Sequence, residues 1–431
     1  MLHDLKRHYL EPIRTFDRAA GLFLLMTVIY GVILSGWQLF FNFYVLGSGY
    51  SREFLGLVNS MPSAAALVFG IPAGRLSDRI GRKPALMLGV AGSTVCMLAE
   101  VTLRLPALIV LAAFLTGLFN SLFLVSQAPL MMKLSGPDNR TMLFSLNWGL
   151  QTISGALGSI FAGQLPALFG ALLGVPEHSA AAYQAVLVTS LLAGSVSLIP
   201  LWVMREPAGE AGAGLPGPVE RAAGRGLTRP LLALTLRMIA PQIVIGFGAA
   251  ILIPYMNVFF KDRFDISDSV LGFLFSFSSL LIGVGSLMVP HLSTRLGGKI
   301  RAIIATQGAS LAFLLLAGFA PLLWLSAIGF LLRAALMNMA SPLYSAFCME
   351  LTPEPQRGFV NSCLNLAWSI GWAVGPYISG VVQQNYGFTP LFVATAVLYG
   401  LANLLTWAFF RHSEQSPAPQ APAMAAAKPL E

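Results

Sequence analysis

The sequence predicts an all-α polytopic membrane protein with twelve transmembrane helices, arranged as two pseudo-symmetric bundles of six. Three observations lead to this fold class. The composition is strongly apolar, the apolar residues fall into long unbroken runs, and the second half of the chain repeats features of the first at a nearly constant spacing.

The composition excludes a water-soluble globule of this size. Of the 431 residues, 56% are hydrophobic and only 10% are charged, and the mean hydropathy is +0.73. A soluble protein carries far more charged residues, because they cover its surface. The chain therefore requires a lipid environment.

The apolar residues form twelve runs, each close to the length of about 20 residues that a helix needs to cross a bilayer core about 30 Å thick. A β-barrel would instead show short segments of alternating polarity. The runs are therefore predicted as membrane helices, near residues 21–46, 54–76, 84–103, 107–132, 141–166, 182–203, 231–259, 269–291, 301–319, 322–348, 358–384 and 390–410.

The two halves of the chain carry matching residues. Ser154–Gly163 aligns with Gly371–Gly380 at a shift of 217, a coincidence that apolar composition alone would not produce. Two like halves suit a carrier that closes at either face of the membrane. Shifts of 215 to 217 also align Gly31 with Gly246, Asn42 with Asn257, Gly56 with Gly272, Gly81 with Gly297 and Arg140 with Arg357.

The predicted domain boundaries follow from this repeat. An N-terminal six-helix bundle over residues 1–204 is joined by a cytoplasmic linker over 205–229 to a C-terminal six-helix bundle over 230–411. The linker is rich in Gly, Ala and Pro, as flexible linkers are. The Pro- and Ala-rich tail over 412–431 is predicted to be disordered and cytoplasmic.

The basic residues predict the orientation. With the N-terminus inside, 20 of the 26 Lys and Arg residues fall on the cytoplasmic side, and only Arg52, Arg104, Lys261 and Arg263 fall outside. This is the positive-inside rule, so both termini are expected in the cytoplasm. The pI of 9.6 then reflects topology and contact with anionic lipid, not a nucleic-acid partner, for which the sequence has no motif.

A charged signature, Gly74-Arg75-Leu76-Ser77-Asp78-Arg79-Ile80-Gly81-Arg82-Lys83, lies between the second and third predicted helices. It is similar to the G-x-L-x-D-R-x-G-R-K loop of major facilitator superfamily (MFS) transporters. The resemblance implies the MFS fold and a cytoplasmic gate, in which the aspartate holds that side shut against the start of helix 11. Its glycines permit a turn and a close approach of backbones. The gating residues implied are Gly74, Asp78, Arg79, Gly81, Arg82 and Arg357.

Arg333 lies inside the tenth predicted helix, eleven residues after Leu322. At 1.5 Å per residue it sits about 16 Å deep, near the bilayer midplane. An arginine there is costly unless it faces water or a partner, and its planar guanidinium suits a carboxylate or phosphate. The family resemblance implies that helices 1, 4, 7 and 10 line the cavity, so Arg333 is the first substrate-binding candidate. The alternative is a structural arginine satisfied by carbonyls and by Asn338.

Neutral amides and tryptophans supply the other candidates. Gln38 and Asn42 are four residues apart and share a helix face, as do Trp368 and Trp372. Amides beside broad aromatic rings suit an amphipathic organic solute, whereas the alternative is that such amides join neighbouring helices. With Arg333, the predicted substrate-binding residues are Gln38, Asn42, Asn120, Gln242, Asn257, Asn338, Asn365, Trp368 and Trp372.

No carboxylate or histidine is predicted at the depth of Arg333. Glu100 precedes Arg104 by four residues near the outer end of the third helix, an order that favours a helical ion pair. The three cysteines have neither C-x-x-C spacing nor an adjacent histidine. The sequence therefore predicts no metal site, no cofactor and no catalytic residues, and the protein is not expected to be an enzyme.

The function predicted is secondary active transport of a small organic, amphipathic solute by alternating access, with Arg333 favouring an anion. The expected partners are this solute and membrane lipids, with a coupling proton or counter-ion left open, and the protein is expected to be a monomer in the cell inner membrane. Two alternatives stay open: proton-coupled multidrug efflux of neutral or cationic compounds, and a non-transporting sensor of the same fold. For the first, Gly371-x-x-x-Gly375-Pro376-x-x-Ser379-Gly380 in helix 11 resembles a signature that drug and proton antiporters carry in helix 5.

Overall fold

The computed structural model describes residues 16–136, 139–205, 229–353 and 356–411. In these ranges the chain forms twelve long helices, numbered in order, of which α6 and α7 are each interrupted once. Nearly all of the predicted linker, and all of the predicted tail, lie outside the described residues. The bounds are α1 (Arg18–Gly47), α2 (Arg52–Ile80), α3 (Arg82–Thr102), α4 (Pro106–Lys133), α5 (Arg140–Leu173), α6a (Ala180–Ser195), α6b (Leu198–Val203), α7a (Arg229–Ala250), α7b (Met256–Phe264), α8 (Asp268–Arg295), α9 (Lys299–Phe319), α10 (Leu323–Leu351), α11 (Arg357–Tyr386) and α12 (Thr389–Phe410).

Each predicted apolar run corresponds to one of these helices. Most ends agree within a few residues, but α5 continues through Pro166 to Leu173. By length and composition, eleven of the helices are long and apolar enough to cross a membrane. The twelfth is α11, which spans 30 residues and is more polar because it carries amides such as Asn361 and Asn365.

The repeated sequence folds into repeated local structure. Ser51 and Ser267, which are 216 apart in the sequence, cap α2 and α8 by accepting a hydrogen bond from the backbone N–H three residues later. Gly81 and Gly297 form the turns that follow these helices, with φ of +94° and +69°. Residues with a Cβ rarely adopt such angles, so glycine at both positions permits the abrupt turn.

Pro254 accounts for the interruption of α7. It lacks the N–H that would continue the helical ladder, and Ile253–Tyr255 forms a short 3₁₀ turn between α7a and α7b. The N–H of Val258 bonds to the Oδ1 atom of Asn257 at 2.9 Å. The Pro254 carbonyl consequently remains available to another helix.

The helices pack in the same pattern in both halves. In the first half α1 lies against α5, and α3 lies along α4. In the second half α7a lies against α11, and α9 lies along α10. Between the halves, α2 packs along α11, and α5 packs along α8. Large apolar side chains such as Phe161, Leu172 and Val397 are exposed on the outside, as a surface that faces lipid requires.

Glycines bring the helices of the two halves into close contact. A Cβ on Gly56 would lie 2.5 Å from the carbonyl oxygen of Pro376, and a Cβ on Gly272 would lie 2.5 Å from that of Ser159. The two crossings are equivalent in the repeat, and small residues allow such close packing. Both crossings lie near one end of the bundle, here called the sealed end, whose turns are residues 48–51, 103–105, 174–179, 265–267, 320–322 and 387–388.

Candidate functional site

A cavity of about 390 Å³ lies within the C-terminal half. Its size is that of a small-molecule site. From the level of Trp372 it extends to Asn361, near the start of α11 and therefore toward the end opposite the sealed end. The lining residues are Gln242, Ile245, Ala249, Ile253, Gln307, Arg333, Met337, Asn338, Ala340, Ser341, Tyr344, Ser345, Asn361, Leu364, Asn365, Trp368, Trp372 and Tyr399.

Arg333 is the charged residue of this lining, and it is only 5% exposed. Its carbonyl accepts a hydrogen bond from Ser310 Oγ at 3.2 Å, and the hydroxyl of Tyr399 lies beside its guanidinium. The Nε atom has no hydrogen-bond partner. Among the described residues no carboxylate neighbours the guanidinium. Because an uncompensated buried charge is strongly destabilising, this arrangement is suited to receive an anion.

The structure brings together six of the ten predicted substrate-binding residues. Gln38, Asn42 and Asn257 instead lie at the contact between the halves. Asn120 lies on α4, in the half whose described residues do not line this cavity. The prediction placed all four helices around one cavity, whereas this cavity is confined to one half. The six residues in its wall are Arg333, Gln242, Asn338, Asn365, Trp368 and Trp372.

Asn338 does not hold the guanidinium of Arg333. Its Nδ2 atom donates to the carbonyl of Ala334 at 2.9 Å, within the same helix. A purely structural arginine would have all its donors hydrogen-bonded, whereas the Nε atom of Arg333 has no partner among the described residues. Both residues still face the same cavity.

Asn42 and Asn257 form a reciprocal contact across the interface, here called the asparagine clasp. Asn42 Nδ2 donates to Asn257 Oδ1 at 3.0 Å and to the Pro254 carbonyl at 2.7 Å. Asn257 Nδ2 donates to the Leu39 carbonyl at 2.8 Å. Each asparagine thus bonds the carbonyl three residues before its counterpart, as the repeat dictates. Both side chains are buried, so the clasp closes the passage between α1 and α7b.

Removal of either amide of the asparagine clasp is expected to open the sealed end more often. Asn42→Ala or Asn257→Ala leaves buried polar groups unpaired, which costs about 1–3 kcal/mol in the closed conformation. The double variant should destabilise that conformation by less than the sum of the two single effects, because the residues are partners. The measurement is the alkylation rate of a cysteine placed at the buried Ser60, which should rise about fivefold or more.

Asn403→Ala is the matched control for the asparagine clasp, since its amide bonds Ile304 within one half. It should leave the alkylation rate at Ser60 unchanged. Equal alkylation in the Asn42, Asn257 and Asn403 variants would show that the clasp does not hold the sealed end shut.

Charged groups also join the halves at the sealed end. Asp268, at the first turn of α8, is paired with Lys261 and accepts a hydrogen bond from the Tyr183 hydroxyl at 3.1 Å. The ring of His178 approaches the same carboxylate at 3.1 Å. His178 and Tyr183 belong to the first half, and Lys261 and Asp268 to the second. These contacts between the halves, like those of the asparagine clasp, lie toward the sealed end.

The predicted latch between Asp78 and Arg357 is not formed in this conformation. Asp78 pairs with Arg82, one turn further on, and its side chain is 55% exposed. Arg357 Nε donates to two carbonyls at the end of α10, at 3.0 and 3.2 Å. The latch would join the halves at the end opposite the sealed end, and the role of these residues in gating stays a prediction.

Most of the signature is helical, and only one residue makes the turn. α2 continues through Gly74 and Arg79, and the turn is formed by Gly81 alone. A Cβ on Gly74 would meet no atom within 4 Å. The close approach expected at Gly74 is therefore absent in this conformation, whereas the turn expected at Gly81 is present.

Glu100 does not form the ion pair predicted for it. Its carboxylate is 3% exposed and accepts a hydrogen bond from Thr116 Oγ1 at 2.6 Å, whereas Arg104 is exposed. The interior position between α3 and α4 offers the carboxylate a hydroxyl partner instead. The described acidic residues do not include a member of the cavity lining.

Sequence reasoning missed Gln307, Tyr344 and Tyr399, which also line the cavity. Tyr344 donates to the Met238 carbonyl at 2.7 Å, and Tyr399 lies beside Arg333. Gln307 carried a usable signal, since it is a lone amide in an apolar helix. The tyrosines did not, because aromatic residues are common on faces that contact lipid or other helices.

The helix 11 signature has a packing role in this structure. A Cβ on Gly375 would lie 2.6 Å from Ala250 Cβ. A Cβ on Gly371 would come equally close to the backbone of α7a, and a Cβ on Gly380 would come equally close to the backbone of Arg52 in α2. The small residues thus permit α11 to lie against two helices, and this explains the spacing without an antiporter motif.

Comparison with known proteins gives a consistent result. The family model described as Major Facilitator Superfamily matches residues 19–240 and 238–431. A relative, "Uncharacterized MFS-type transporter YhhS" of Escherichia coli (strain K12), is 26% identical over 371 residues, which cover 83% of this chain and 84% of YhhS.

Two solved structures share the fold. A bacterial homolog of the human lysosomal transporter Spinster, in an inward-facing and occupied conformation, has a TM-score of 0.73 at 15% identity, with 91% of this chain and 96% of that chain covered. A bacterial homologue of the iron transporter ferroportin, in an inward-facing state, has a TM-score of 0.71 at 18% identity, with 91% and 98% covered. Because the family model matches both halves, the chain belongs to the Major Facilitator Superfamily.

Proposed function

We propose that this protein is a secondary active transporter that moves a small organic, amphipathic anion by alternating access, with the cavity around Arg333 as its cargo site. The observation that carries the proposal is the buried guanidinium with an unpartnered Nε atom and no neighbouring carboxylate among the described residues. Aromatic rings and amides complete the wall, and they suit the apolar and polar parts of such a solute.

The contacts between the halves support alternating access as the mechanism. The sealed end is held by reversible hydrogen bonds, ion pairs and glycine crossings, while the signature residue Asp78 is bonded to Arg82 in its own half. In the proposed orientation, with both termini in the cytoplasm of an inner membrane, the sealed end faces outward. Cargo would then load from the cytoplasm in this conformation, as export or exchange requires. The proposed working unit is a monomer surrounded by lipid.

The two alternatives differ in what they require of the cavity. A carrier of cationic drugs is favoured by a carboxylate in the wall, and the described lining residues include none. A sensor would bind the same solute without moving it. Charge preference and flux therefore separate the three functions.

The test is solute flux into liposomes that contain the purified protein. Three labelled compounds share one skeleton: 3-phenylpropionate, its neutral amide and the cation 3-phenylpropylamine. We expect accumulation by counterflow of the anion only. Preferred flux of the cation or the amide would contradict the proposal, and binding of the anion without flux would identify a sensor.

A further inference from the structure

Among the described residues of the cavity lining, three buried polar atoms have no hydrogen-bond partner, and this pattern bears on which anion would bind. They are Nε of Arg333, Nε1 of Trp372 and Oε1 of Gln307, and all three residues line the cavity. Native proteins leave few such atoms unpaired, because each is costly. A bound ligand would supply the missing partners. The inference rests on the proposed function and concerns the same site.

The three atoms differ in chemistry. The nitrogen atoms of Arg333 and Trp372 are donors, whereas the oxygen atom of Gln307 is an acceptor. Gln307 is 6% exposed, and it lies one turn before Ser310, whose hydroxyl bonds the backbone of Arg333. α9 therefore presents an acceptor close to the helix that carries the guanidinium. A ligand that satisfies all three atoms needs both an anionic acceptor and an N–H or O–H donor.

The rest of the wall favours an aromatic body between these groups. The rings of Trp368 and Trp372 have centroids 6.3 Å apart and an interplanar angle of 33°, and Tyr344 and Tyr399 also line the cavity. Aromatic rings prefer offset or edge contacts with other rings at such separations. We propose that the cargo is an aromatic carboxylate with an additional hydroxyl or amino donor, whose carboxylate meets Arg333 and Trp372 and whose donor meets Gln307.

The experiment compares the binding of benzoate with that of its three monohydroxy isomers, by isothermal titration calorimetry on the purified protein. At least one isomer should bind about fivefold or more tightly than benzoate, since it adds a bond to a buried acceptor. In Gln307→Met, which keeps the length of the side chain but removes the acceptor, the isomer should bind no more tightly than benzoate binds to the same variant. Gln127→Met, in α4 of the other half, is the matched control and should retain the advantage.

Trp372→Phe provides a second variant, because it keeps a ring and removes the donor. It should weaken benzoate and its isomers alike, in contrast to Gln307→Met. If no isomer binds the native protein more tightly than benzoate, or if the isomer keeps its higher affinity in Gln307→Met, the donor inference is wrong. Benzoate binding would then still support the anion carrier. If no carboxylate binds, and the phenylpropionate series shows no anion flux, the inference and the proposed function both fail.

Discussion

Replacement of Arg333 by glutamine is expected to lower the flux of an anionic solute by about tenfold to a hundredfold. A hydrogen bond to a charged group contributes about 1.5–3 kcal/mol, and every 1.4 kcal/mol corresponds to about tenfold. Arg333→Lys keeps the charge but loses the planar fork, so it should recover part of the flux. The measurement is counterflow of 3-phenylpropionate in liposomes that contain equal amounts of each variant.

Arg237→Gln is the matched control for Arg333→Gln. Arg237 also lies in a long helix of the C-terminal half, but it is exposed and is not part of the cavity lining. Its replacement should leave the flux unchanged. Comparable loss in both variants would mean that the guanidinium at 333 has no special role in cargo binding.

The second large effect is expected at the glycine crossings. Gly56→Ala places a methyl group 2.5 Å from the carbonyl oxygen of Pro376, a distance that real Cβ contacts do not show, so the sealed end cannot close without displacement of α2 or α11. Overpacking of this kind costs about 1–3 kcal/mol, which is about fivefold to over a hundredfold in the conformational equilibrium. Gly272→Ala should act in the same direction, because its methyl group would meet Ser159 in the equivalent way.

Distances between spin labels measure this equilibrium. Labels at Leu105 and Tyr386, which are 64% and 75% exposed and lie in opposite halves near the sealed end, should show a longer distance population in Gly56→Ala after replacement of the native cysteines. Gly70→Ala, on the same helix, is the control, because a Cβ there meets no atom within 4 Å. If Gly56→Ala keeps the distances of Gly70→Ala, the crossing does not govern closure.

The sequence predicted the helices well because the bilayer requirement acts on each run separately. An apolar run of the right length needs no knowledge of its neighbours to be identified. The depth of Arg333 followed from the same counting of residues along one helix, and the structure places this residue in a cavity wall. The repeat could also be recognised from the sequence, because that requires only the comparison of one stretch of the chain with another.

The failures concern contacts that depend on conformation or on a distant helix. Asn42 and Asn257 are predicted as cargo residues because the family resemblance implies that helices 1 and 7 line the cavity, but in this conformation they bond one another. No sequence pattern shows which contacts between the halves a given conformation makes. The partner of Glu100 was also wrong, because Thr116 is brought beside it only by the packing of α3 on α4. A proline inside the seventh run, Pro254, was the one clear signal of the break in α7 that was not used.

The described residues of the cavity wall come from one half of a duplicated chain, and in the proposed transporter this separates cargo recognition from the closing contacts. The asparagine clasp and the glycine crossings at the sealed end follow the repeat, so each of their residues has an equivalent in the other half. The residues around Arg333 are not paired in this way, because the described residues of the first half include none of the cavity lining. In the proposed transporter, selectivity can therefore diverge by substitutions within the C-terminal bundle alone, and exchange of C-terminal bundles between relatives should transfer selectivity.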